Sequence, residues 1–233
     1  MYFKGDPDDM FSAMTPMSQE EMVECYWAGV DENPSSLADL YVDFHDFIHD
    51  FLFMEFASRL GASVFLFRRI AAASEEHLAQ LSRAKESGSR RIRGWEYECD
   101  MMVDEDMYAV KDVETIGYGA VTVAAVAALE ALAEDLITTD RPSGSSGLQQ
   151  KFERLLPLLS LSSEGKTEVQ AQVKKLANRR NSFAHSVTGH PWHTWRDPSK
   201  PPREKPIFDK ESVSDTLFTV GRIAVVVDCH LDR

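Results

Sequence analysis

Apolar residues recur at three- and four-residue intervals along most of the chain, the period of helices that each pack one face. Ser18-Gln19-Glu20-Glu21 fits a capping box opening a short helix to about Gly29, and Asp31 to Ser36 break it. Leu37, Leu40, Tyr41, Phe44, Phe47, Ile48, Phe51 and Leu52 predict a helix from about Leu37 to Leu60. Gly61 is expected to interrupt it, with a further helix from Ser63 to about Lys85 and a flexible basic loop over Ser87–Gly94. Residues 95–102 suit strand or helix equally. A long helix is expected from about Glu105 to Ile137, and Arg141–Gly147 reads as a loop. Leu148–Ser160 reads as a helix kinked near Pro157, and another helix runs from about Lys166 to His185. Residues 186–209, rich in proline, read as a long irregular loop before a last helix over roughly Lys210–Leu231. The fold class is all-α.

Composition supports a buried core: 43% of the 233 residues are hydrophobic. The longest uncharged run, Thr115–Leu129, is short for a bilayer span of about 20 residues, and its Gly117, Gly119 and alanines suit a buried central helix. The N-terminus lacks the basic flank and apolar run of a signal peptide. Cys25, Cys99 and Cys229 are scattered, which argues against a disulfide framework and for a reducing compartment, so a cytoplasmic location without membrane association is expected.

The net charge of −13 is uneven. Residues 1–60 carry 2 basic against 13 acidic side chains, whereas residues 151–233 carry 14 against 10. A general nucleic-acid binder would be basic throughout; here only the C-terminal third keeps positive charge for local contact with phosphates.

That third holds Arg180-Asn181-Ser182-Phe183-Ala184-His185. Val169, Val173, Leu176 and Phe183 form the apolar stripe of its helix, and Arg180 falls on that stripe. A guanidinium on an inward face needs an anion or several acceptors. Lys174, Asn178, Asn181 and His185 form a second, polar stripe. Arg180 and His185 stand about 140° apart around an ideal helix. They converge on one phosphate only if the helix ends near His185, as Gly189 and Pro191 suggest, or if a second subunit shares the site.

These residue types suit RNA transesterification. The 2′-hydroxyl attacks phosphorus and expels the 5′-oxygen; His185 moves a proton, Arg180 offsets charge on the phosphorane oxygens, and Asn181 orients the imidazole or bonds a phosphate oxygen. No metal or cofactor is needed. Lys174, Asn178 and Arg179, with Trp192, His193, Trp195 and Arg196 of the following loop, are candidate RNA contacts, the aromatics by stacking on unpaired bases. The competing structural reading makes Arg180 an ion-pair residue, with Glu130 or Glu134 of the long helix as partner, His185 a helix cap, and the tryptophans anchors for their loop.

Arg180-Asn181-x-x-x-His185, late in a helix that follows the Ala/Leu-rich segment Val121–Leu136, resembles the ribonuclease motif of the HEPN (higher eukaryotes and prokaryotes nucleotide-binding) family, an R-x4–6-H pattern with a polar residue after the Arg. The resemblance covers roughly residues 103–233. It implies a four- or five-helix bundle, a homodimer with two Arg/His pairs in one cleft, and a metal-independent endoribonuclease. Family members include toxins of toxin–antitoxin pairs and phage-defence effectors, so an antitoxin or regulatory protein is an expected partner. Other members only bind ligands or partners. The implied division is an acidic N-terminal helical region, residues 1–101, and a HEPN-like domain, residues 102–233.

His45 and His49 sit one turn apart among Asp43, Asp46 and Asp50, a spacing open to zinc, but no third ligand is identifiable and a solvated acidic face is the simpler reading. The acidic region 1–60 either completes the bundle or shields the basic face.

Overall fold

The computed structural model describes Ala38, residues 41–42, 51–137, 147–188 and 208–231; of residues 184–188 it describes the backbone alone. Among these residues the protein is all-α: five packed helices and no strand. They are α1 (Phe51–Ser87), α2 (Glu96–Ile137), α3 (Leu148–Leu155), α4 (Ser163–Thr188) and α5 (Lys210–His230).

The helix α2 is the hub, packing against each of the other four. Its C-terminal half brings Val121, Ala125, Val126, Leu129, Leu132 and Ala133 into the core. The alanines keep that surface shallow, so neighbouring helices approach closely. By length and composition α2 is the one helix among the described residues apolar enough to cross a bilayer, yet 56% of its most apolar window is buried inside the protein, as in a core helix. The apolar stripes of α1 (Phe53, Phe56, Leu60, Val64, Phe67), α4 (Val169, Val173, Leu176) and α5 (Val213, Leu217, Val220, Ala224) close around it.

Gly61 does not interrupt: α1 runs through it from Phe51 to Ser87. A mid-helix glycine costs about 1 kcal/mol against alanine. Leu60 and Val64 beside it are fully buried, and that burial outweighs the propensity. Residues 96–102, ambiguous in sequence, form the opening turns of α2.

The basic loop between α1 and α2 is tied down. Gly88 and Gly94 take positive φ (64° and 86°), which turns the chain back on itself. Arg91 then forks onto Asp100 through two bonds of 2.8 and 2.9 Å, and Arg90 reaches Asp106 at 2.9 Å. Pro157 ends α3, which tightens into a 3-10 turn over Leu156–Leu158. Leu159 then forms an isolated antiparallel bridge with Leu231, and the amide of Ser160 donates to the carbonyl of His230. A capping box of Asp209 and Ser212 opens α5.

The expected boundary between residues 101 and 102 falls inside α2, and one core draws on side chains from both sides of it. The segments with Ser18–Glu21, His45 and His49 lie outside the described residues.

Candidate ribonuclease site

The helix α4 carries the motif. Val169, Val173, Leu176 and Ala177 are buried, and the next position inward is Arg180. Its guanidinium meets the carboxylate of Glu130 on α2, so the sequence-level requirement for an anion opposite this arginine is met from inside the chain. Glu130 is shared: its other oxygen lies 3.2 Å from Lys151 Nζ of α3, and Lys151 also donates to Glu134 at 2.5 Å. Two cations and two carboxylates from three helices thus form one cluster at the bundle edge. Within it the Arg180 side chain keeps 29% of its surface open and Lys151 only 9%. Burial pulls the Lys151 ammonium down, but its bonds to Glu134 and Glu130 outweigh that and hold it above the ordinary lysine range.

Lys151 was not singled out in the sequence. The signal was present: Leu148, Lys151, Phe152 and Leu155 make one buried face of a short helix, and a lysine on that face needs a buried anion.

The polar stripe of α4 is open where it is described. Lys174, Asn178 and Asn181 are exposed, and Lys174 borders a hollow of about 230 Å³ between α3 and α4, with Gln149, Glu153, Gln170 and Val173. Arg179 turns elsewhere. It reaches Asp215 at 2.7 Å, Thr216 Oγ1 at 2.9 Å and the carbonyl of Ser212 at 3.2 Å, all on α5. Lys175 joins Asp215 at 3.1 Å. Burial raises the Asp215 carboxyl, but the bonds from Lys175 and Arg179 prevail and leave it below the usual carboxylate range.

The helix runs unbroken through position 185 to Thr188, so it does not end where it would swing His185 toward Arg180. Along a continuous helix the two positions remain about 140° apart around the axis. The side chain of His185, and Trp192, His193, Trp195 and Arg196, lie outside the described residues. Among the described residues, no group of three or more His, Cys, Asp or Glu side chains is placed to hold a metal ion.

Fold and site define a class: an all-α helical protein with a partly open arginine, countered from within, on a helix whose other face carries an exposed polar stripe. Comparison with protein-family models, curated proteins and solved structures finds no match. The likeness to HEPN ribonucleases therefore rests on the motif and its helical setting.

Proposed function

We propose that this chain is a metal-independent endoribonuclease of the HEPN type, acting in the cytoplasm as a homodimer and serving as a toxin or phage-defence effector. Arg180 neutralises charge on the pentacovalent phosphorus, His185 transfers the proton, and Asn181 holds the imidazole or a phosphate oxygen. The RNA 2′-oxygen forms the new bond to phosphorus and the 5′-oxygen leaves, giving a 2′,3′-cyclic phosphate and a 5′-hydroxyl. DNA lacks the nucleophile and is spared.

One observation carries the reading: a motif arginine that is partly open although it lies on the inward stripe of a helix whose other face exposes Asn178 and Asn181. The unbroken helix through position 185 favours a site completed across a dimer, because one chain sets the two motif positions on different faces.

The test is labelled single-stranded RNA with the purified chain in EDTA. Cleavage to cyclic-phosphate ends that disappears in Arg180→Ala and in His185→Ala is the expected result. Equal cleavage by wild type and both variants would mean a contaminating nuclease and end the proposal.

A second reading is favoured by the Arg180–Glu130 pair itself. A guanidinium already countered by a carboxylate suits a non-catalytic helical module that binds a protein partner or nucleotide. It predicts intact RNA under every condition and a stably co-purifying partner.

A further inference from the structure

Glu130 holds two cations at once. One oxygen meets Arg180 and the other stands 3.2 Å from Lys151. The two cations are unequal. Lys151 is nearly enclosed and is held a second time by Glu134, whereas the Arg180 side chain keeps 29% of its surface open.

We propose that Glu130 is an internal competitor for the phosphate site: it occupies Arg180 until an RNA phosphate displaces it, and it then rests on Lys151 alone. This rests on the reading of Arg180 as a phosphate-binding residue.

The electrostatics set the direction. A partly buried carboxylate stripped of every partner is strongly disfavoured. Glu130 avoids that cost because Lys151 stays beside it when Arg180 lets go. Arg180 could not be released cheaply if Glu130 had no second cation. The guanidinium in turn loses one carboxylate and gains a phosphate whose two non-bridging oxygens suit its planar fork. The same carboxylate repels an incoming phosphate at short range. The cluster is formally neutral with Glu130 present and carries one net positive charge without it. Glu130 therefore weakens RNA binding, and the weakening acts through Arg180.

The full-length chain is titrated with fluorescein-labelled 2′-O-methyl RNA at fixed ionic strength; this probe binds but lacks the 2′-hydroxyl nucleophile. Wild type is compared with Glu130→Gln, Glu134→Gln and the double variant Arg180→Ala/Glu130→Gln. Glu130→Gln is expected to tighten Kd about three- to tenfold. Glu134→Gln, which removes the same charge from the Lys151 side, changes Kd less than about twofold. The gain vanishes in the double variant. A Kd unchanged by Glu130→Gln, or a gain that survives without Arg180, overturns the proposal.

If Glu130→Gln does not fold, Glu130→Asp takes its place. A carboxylate one methylene shorter cannot span both cations, and the same Arg180-dependent tightening, reduced in size, is expected. Cleavage of ordinary RNA is scored separately. An Arg180-dependent gain in Kd without any cleavage retains the competitor and removes the nuclease reading. Cleavage without that gain does the reverse.

Discussion

Phe183 packs closely on Gly119: a methyl at Gly119 would stand 2.0 Å from two carbons of the ring. The ring also meets Phe208 edge-on, with centroids 5.3 Å apart. Phe183 thus pins the C-terminal half of α4, where the motif lies, to the central helix and to the residue that leads into α5. Gly119→Ala forces the ring aside. It is expected to destabilise the fold by about 1–3 kcal/mol, measured by urea unfolding. It also reduces RNA cleavage at temperatures where the variant remains folded. Wild-type stability in Gly119→Ala would show that the ring relocates freely.

Lys151→Ala leaves Glu130 and Glu134 without the ammonium they share. Breaking a buried ion pair from one side costs about 3–5 kcal/mol, and the partial exposure of Glu134 places the expected loss near the low end of about 3. Lys151→Ala/Glu134→Gln removes one cation and one anion and leaves Glu130 to Arg180. It should recover part of the stability. A double variant as unstable as the single one contradicts the shared-cation account.

Two groups set opposite pH limits. The Asp215 carboxyl is depressed in the folded state, so its stabilisation is complete above its unfolded value, about 3.9, and is lost as pH falls through the lower folded value. Thermal stability of wild type should converge with that of Asp215→Asn at acid pH and exceed it at neutral pH. Lys151 is raised, so its contribution is complete below its unfolded value, about 10.4, and is lost as pH climbs through the higher folded value. Wild type should therefore lose stability above about pH 10.4 more steeply than Lys151→Ala.

A dimeric composite site has a kinetic signature. Arg180→Ala and His185→Ala chains, each inactive alone, are mixed, unfolded and refolded together. Half of the random dimers are mixed, and each has one intact site if Arg180 of one chain works with His185 of its partner. Activity of about a quarter of wild type is expected. No recovery would place both groups of each site in one chain.

The sequence made much of this molecule readable. The stripe of Val169, Val173 and Leu176 foretold the buried face of α4; Arg180 on that stripe called for an anion or several acceptors, and the competing structural reading named Glu130 as one of two partners. The run Thr115–Leu129 foretold the central helix. Three features were not readable. The continuity of α1 through Gly61 depended on how deeply Leu60 and Val64 are covered by other helices. The ordering of the Ser87–Gly94 turn depended on acids of α2 coming opposite Arg90 and Arg91. The buried face of α3 signalled that Lys151 needs an anion, but that this anion is the Glu130 shared with Arg180 depended on α3 docking beside it.

The chain by itself determined the helices, since spacing of apolar side chains and local capping act within a few residues. It also determined that Arg180 would sit on an inward face, because period 3.6 assigns faces without reference to neighbours. Tertiary structure alone decided which carboxylate meets that arginine, that Lys151 shares it, and that Arg179 faces α5. Those are contacts between residues 21 to 50 positions apart, brought together by helix packing around α2.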